Sequence, residues 1–258
     1  MARAAIVTGA AGGIGRATCE RLSRAGWQVL AVDQDAEKLG WTKDAGIAAS
    51  VADIASEADN IAMVAEAEDR FGGLDAMILN AAVTGGGAID ALAFEDFRRV
   101  IEVNLFGPVH GIRAALPALR RRGGGAIAIT ASTMGIAGES ENSAYCASKH
   151  ALVGLVHSLS RELGWQGIRI NALCPGPTRT GMTSLLEDAA PEHFEALRRA
   201  VPLQRWAEAD EMASCLEFLV SPAASYVNGH VMVADGGAVV GTGLAPPASG
   251  AAPAMPDH

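Results

Sequence analysis

The chain has 258 residues, 50% of them hydrophobic and 19% charged, with a formal net charge of −9 and a pI near 5.1. So acidic a chain argues against electrostatic binding to nucleic acid or to an anionic membrane. No apolar run is long enough to span a bilayer, and the opening MARAAIVTGA meets glycine too soon to read as a signal peptide. The first element is a buried strand over 4–8 (AAIVT), followed by a helix over 14–25. QVLAVD makes a second strand, and IAASVAD a weaker third, ahead of an amphipathic helix near 57–71. DAMILN and GAIAIT (125–130) are the fourth and fifth strands. The helix over 143–163 carries Leu152, Leu155, Val156, Leu159 and Leu163 on one stripe, closed by Gly164. IRINALC and HVMVAD complete seven strands. Strands alternating with helices of this length predict one doubly wound, mostly parallel α/β sheet of Rossmann type over residues 1–244. The proline-bearing stretch 245–258 reads as an extension outside the core.

Cys19, Cys146, Cys174 and Cys215 contain no C-x-x-C pair, so reduced thiols and a cytoplasmic setting are expected. Six histidines are scattered. His150 and His157 share a helix face but stand roughly 10 Å apart, so no metal site is expected.

The turn VTGAAGGIGRAT lies directly between the first strand and the first helix. Glycine lets the backbone approach a ligand without a Cβ, and the helix start then offers free N–H groups and partial positive charge to a pyrophosphate. Gly9, Gly13, Ile14 and Gly15 are the candidates. Asp33 ends the second strand eighteen residues after Gly15. A carboxylate there accepts hydrogen bonds from adenosine ribose hydroxyls and repels a 2′-phosphate, which predicts NAD rather than NADP. Asp53 follows the third strand and has two readings, an adenine contact or a helix cap.

The sequence resembles the classical short-chain dehydrogenase/reductase family. Thr8-Gly9-Ala10-Ala11-Gly12-Gly13-Ile14-Gly15 is similar to its T-G-x-x-x-G-x-G turn, and Tyr145 and Lys149 to its Y-x-x-x-K. Ser132, thirteen residues before the tyrosine, stands where the family has its substrate-orienting serine, and Asn104 in EVNLFG where it has its active-site asparagine. NALCPGPTRTGM and VADGG resemble the segment beside the nicotinamide and the end of the last strand. The likeness runs from about residue 3 to 240. It departs at Ala82, where a glycine is usual, and at Ser140 and Glu141, which replace proline and glycine.

The resemblance implies a catalytic set of Asn104, Ser132, Tyr145 and Lys149, with Ser132 and Tyr145 on the substrate. It implies cofactor contacts from Gly9, Gly13, Ile14, Gly15, Asp33, Asp53, Ile54, Asn80, Tyr145, Lys149, Thr178 and Thr180. The expected activity is NAD-dependent interconversion of a secondary alcohol and a ketone, in a homotetramer. The alternatives are reduction of a 3-oxoacyl thioester, or a nucleotide-binding scaffold without turnover. Residues 181–204 form the expected lid, with Met182, Leu185, Leu186, Phe194 and Leu197 as its apolar side and Glu187, Asp188, Glu192, Arg198 and Arg199 as its charges. Glu139 and Glu141 near the entrance weigh against a carboxylate substrate.

Two physical expectations follow. A phenol of pKa about 10 needs a fall of about 2–3 units to act as a base near neutrality. An ammonium about 5 Å from the phenolate oxygen supplies about 3 kcal/mol at an effective dielectric near 20, and an i,i+4 pair offers that proximity. Oxidised nicotinamide adds further positive charge. Pro108 lies four residues after Asn104 and has no N–H, so a helix through both should kink and free the Asn104 carbonyl to hold a water; the resemblance implies a proton relay through a water between this asparagine and the lysine.

Overall fold

The computed structural model describes residues 2–181, 183 and 190–239. Seven parallel strands form one sheet: β1 (Ala4–Thr8), β2 (Gln28–Asp33), β3 (Ala48–Val51), β4 (Ala76–Leu79), β5 (Gly125–Thr130), β6 (Ile168–Pro175) and β7 (Val231–Ala234). Their spatial order is β3-β2-β1-β4-β5-β6-β7. All seven expected strands are present; the third is shorter than expected, and the fourth and last are each trimmed at both ends.

Period-two alternation decides what each sheet face buries. Ile6, Leu30, Val32, Met77, Leu79, Ile127 and Ile129 pack one way, with Met63, Ile112, Leu152 and Val156 from the helices Glu57–Phe71, Gly107–Arg121 and Ser143–Leu163. Ala5, Val7, Ala31, Ala76, Ile78, Ala126 and Ala128 pack the other way, against Cys19 and Leu22 of Gly13–Arg24 and Leu216 and Leu219 of Ala209–Val220. The alanines on this second face leave room for the two helices to lie against the sheet. The stripe expected on the helix 143–163 is the one that enters the core. That helix ends at Leu163, but Gly164 continues into a short 3-10 turn, and the left-handed residue is Gly167 at φ +70.

From β1 the chain steps to β2 and β3 on one side, and to β4 on the other. The strand order therefore reverses between β1 and β4, and in open α/β sheets ligands bind in the crevice beyond the strand ends at such a point. Helix Phe94–Ile101, not singled out from the sequence, leads into a π-helical turn, Glu102–Phe106, which closes with the Gly107 amide donating to the Glu102 carbonyl, five residues back. Pro108 follows at once. The disturbance expected near Asn104 is thus a widened turn within a continuous helical path rather than a break.

Candidate active site

A cavity of about 1330 Å³ opens over this switch point. Its wall takes in the glycine turn, the ends of β2, β4, β5 and β6, and the start of helix Ser143–Leu163.

The glycine turn is built from backbone. Gly9 and Gly13 hold φ of +70 and +52. A Cβ on Gly15 would stand 2.0 Å from the Gly9 carbonyl oxygen, and one on Gly13 3.1 Å from the Thr180 side chain. The helix begins at N-cap Gly12 with no side-chain cap and no acid in its first turn. An uncapped N-terminus beside a turn with no room for a Cβ on Gly9 or Gly15 fits a pyrophosphate. Thr180 accordingly lies against Gly13 across the groove, and its amide donates to Thr183 Oγ1 at 2.9 Å. The Thr178 hydroxyl donates to the Gly176 carbonyl.

Asp33 lines the same cavity. Its Oδ2 accepts the Ala11 amide at 3.0 Å and its Oδ1 the Asp35 amide at 3.1 Å. The carboxylate is thus fixed by the turn it faces. Asp53 and Ile54 also line the wall. Asp53 accepts the Ala55 amide, while the helix behind it is capped by Ser56, whose hydroxyl accepts from Asp59. The capping role that competed for Asp53 therefore belongs to Ser56. Asn80 lines the wall, but its side chain is occupied: Nδ2 donates to the Thr8 carbonyl at 3.1 Å, and Oδ1 accepts from Thr130 Oγ1 at 3.1 Å. It ties together the ends of β1, β4 and β5. Ala82, the departure from the family pattern, is half-buried in the wall.

At the other end Ser132, Tyr145 and Lys149 share the cavity. Lys149 is 2% exposed, and its Nζ donates to the Thr130 carbonyl at 2.9 Å. That nitrogen lies 5.4 Å from the Tyr145 ring centroid. Ser132 caps the short turn that follows β5, its hydroxyl accepting from Met134. Burial pushes the Tyr145 phenol up to about 12, with a hydrogen bond from Ser132 working in the opposite direction. Burial also brings Lys149 down to about 8. The sequence expectation counted the positive charge of an oxidised nicotinamide beside the ammonium; in the protein without ligand the phenol is raised, not lowered. The cost of desolvating a phenolate outweighs the pull of an ammonium that is engaged with Thr130 and stands over the ring.

Asn104 is 0% exposed and does not reach the cavity wall. Its Oδ1 accepts the Val83 amide at 2.8 Å and its Nδ2 donates to the Val83 carbonyl at 2.9 Å and to Ser148 Oγ at 3.3 Å. The side chain clamps the strand-exit loop to the helix carrying Tyr145, so its placement is that of a positioning residue. Cys174 is a neighbour the sequence did not reveal: it is wholly buried at the end of β6, bonded to the Ser132 backbone, and its electrostatic influence reaches both Tyr145 and Lys149. Its only sequence signal is adjacency to the Pro175-Gly176 step.

The mouth carries Glu139 and Glu141, and also Arg99. With both signs present, the acidic pair no longer argues against a carboxylate. Glu141 is held at φ +59, and its carbonyl accepts the Gly87 amide at 2.7 Å. Of the expected lid, Met182, Leu185, Leu186, Glu187 and Asp188 lie outside the described residues, as does the boundary at 244–245. Phe194 is buried and stacks on Trp206 at 4.1 Å, and Leu197 lines the cavity. Glu192 opens helix Pro191–Ala200, and Arg198 and Arg199 both pair with Glu195. Among the described residues no cluster of three or more His, Cys, Asp or Glu could hold a metal, and no helix is long and apolar enough to cross a membrane.

A family model described as enoyl-(acyl carrier protein) reductase matches residues 9–239. Levodione reductase of Leifsonia aquatica is 36% identical over 91% of this chain and 93% of its own length. A 3alpha-hydroxysteroid dehydrogenase of Mediterraneibacter gnavus is 34% identical over 92% and 96%. Among solved structures, an actinorhodin polyketide ketoreductase with NADPH superposes with a TM-score of 0.88 at 32% identity, covering 92% of this chain and 97% of that one. The chain belongs to the short-chain dehydrogenase/reductase family of oxidoreductases, whose nicotinamide cofactor the glycine cradle fits.

Proposed function

We propose that the protein is an NAD-dependent oxidoreductase that interconverts a secondary alcohol and a ketone, with Tyr145 as proton donor and acceptor. The observation that carries this reading is one cavity lined both by Gly9, Gly13 and Asp33 and by Ser132, Tyr145 and Lys149. When bound, the nicotinamide supplies or accepts the hydride. Ser132 holds the substrate oxygen by a hydrogen bond. In reduction, Tyr145 passes its proton to that oxygen as it gains alkoxide character. A phenol near 12 is competent for this, because an alkoxide is far more basic than a phenolate. Oxidation requires the phenolate, and added positive charge beside the ring is what would bring it within reach. Lys149 keeps an ammonium beneath the ring and binds the nicotinamide ribose. Asn104 holds the loop at Val83.

Asp33 supports NAD over NADP, since a carboxylate held at the end of β2 would repel a 2′-phosphate. The names of the relatives, a dione reductase, a hydroxysteroid dehydrogenase and a ketoreductase, support the alcohol–ketone chemistry. A homotetramer and a reducing, cytoplasmic setting belong to the same reading. A panel of secondary alcohols, ketones and 3-oxoacyl thioesters, assayed with NAD(H) and NADP(H) side by side, tests it. The expected result is turnover preferring NAD(H), lowered by about 10²–10⁴-fold in Tyr145→Phe. Equal turnover with both cofactors would refute the argument from Asp33, and nucleotide binding without turnover across the panel would favour the scaffold alternative.

A further inference from the structure

Beyond Asp33, the adenosine end of the cavity holds a cation. Lys38 lines the wall beside Asp33 and Gln34, in the short turn Lys38–Trp41. Its Nζ lies 2.9 Å from Asp35 Oδ2. Asp35 is also bound to the chain on either side of it: its Oδ1 accepts the Lys38 amide at 3.1 Å, and its own amide donates to Asp33 Oδ1 at 3.1 Å. Asp33 acts on Lys38 as well, more weakly than Asp35 does. The other cation in this corner, Arg16, stacks 5.0 Å over the Trp41 ring and pairs with Glu20 at 2.8 Å.

We propose that Asp35 is a specificity-determining residue, which discriminates against a phosphate on the adenosine 2′ oxygen by keeping Lys38 engaged. While the pair holds, a 2′-phosphate meets the Asp33 carboxylate without an opposing ammonium. The inference rests on reading this cavity as a dinucleotide site with the adenosine ribose at Asp33. Because Lys38 is exposed, the pair is weak, and the discrimination it adds is several-fold rather than absolute.

The test needs no turnover. 5′-AMP and 2′,5′-ADP, which differ by the 2′-phosphate, are titrated calorimetrically into wild type, Asp35→Asn, Lys38→Met and the double variant. Asparagine keeps an oxygen for the Lys38 amide while removing the charge. Asp35→Asn is expected to tighten 2′,5′-ADP relative to 5′-AMP by about fivefold, the scale of one exposed ion pair. Lys38→Met alone should move that ratio by less than about twofold, because the ammonium is already engaged. The gain in Asp35→Asn should vanish when Lys38 is also replaced.

A gain that survives loss of Lys38 would show that Asp35 acts by its own charge and would overturn the proposal. So would a several-fold loss of 2′,5′-ADP affinity in Lys38→Met alone, an arm that stands even if Asp35→Asn does not fold. If wild type binds 5′-AMP and the Asp35→Asn ratio is unchanged, this inference fails while the dinucleotide site stands. If wild type does not bind 5′-AMP at all, the reading of the cavity fails and takes the inference with it.

Discussion

At the glycine end of the cavity the binding surface is main chain: left-handed Gly9 and Gly13, an uncapped helix start at Gly12, and no room for a methyl on Gly15. At the chemical end the surface is side chains, and burial drives Tyr145 up to about 12 and Lys149 down to about 8. The first region is complete as folded, because backbone geometry does not wait for a ligand. The second gathers Ser132, Tyr145 and Lys149 in one cavity, where burial disfavours the charged forms of both the phenol and the amine. On the function proposed above, a cofactor in the cradle would bring positive charge to a phenol that burial alone keeps protonated.

That contrast can be broken at either end. The largest expected effect is at the chemical end: Tyr145→Phe should lower kcat by about 10²–10⁴-fold, the usual span for a lost general acid or base, while nucleotide affinity measured by titration falls far less. Equal losses in both would mean the tyrosine serves binding rather than proton transfer. At the backbone end, Gly15→Ala forces a methyl to 2.0 Å from the Gly9 carbonyl oxygen. Thermal melting should show a loss of about 3 kcal/mol, together with loss of AMP binding. Unaltered binding would show that the cradle tolerates rearrangement.

Lys149→Met sharpens the electrostatic side. The ammonium falls from its ordinary 10.5 to about 8 on folding. Below pH 8 both folded and unfolded chains hold the proton, and the fold bears the full cost of the buried cation. Between about 8 and 10.5 the unfolded chain holds more protons, so wild-type stability from this group rises with pH. Methionine keeps the volume without the charge. The variant should exceed wild type by about 3 kcal/mol at pH 7, and the gap should narrow as pH climbs from 8 toward 10.5. A gap that stays constant would place the cost elsewhere. The smallest effect is at the mouth. Glu141→Gly relieves a left-handed residue at φ +59 and should leave denaturant stability level or raise it by up to about 1 kcal/mol. A clear loss would mean the glutamate side chain supports the loop.

The sheet was legible because each strand carries a short apolar run and each face a period of two, as in Ile6-Val7 or Ile127-Ala128. The glycine turn was legible because it is built from residues that lack a side chain, and spacing alone places them. Tyr145 and Lys149 were found by their spacing, and they do share one cavity. Their proton affinities were not legible, since i,i+4 proximity says nothing of how deeply both groups are buried. Asn104 shows the same limit: the sequence marked the residue, but its bidentate grip on Val83 joins segments 21 residues apart. Asn80 marked a cofactor contact, yet its amide bridges three strand ends. The Asp35–Lys38 pair was not singled out from the sequence, since nothing in a spacing of three puts Lys38 in the cavity wall.

The chain contains two tyrosines, and Tyr226 is fully exposed, so Tyr226→Phe leaves Tyr145 as the only phenol that titrates. Alkaline titration of phenolate absorbance in that variant then reads Tyr145 directly. Without ligand the midpoint should lie above the ordinary phenol value of about 10, and saturating NAD should bring it down while NADH does not. A midpoint already below that value in the free protein, or one that NAD leaves in place, would contradict the account.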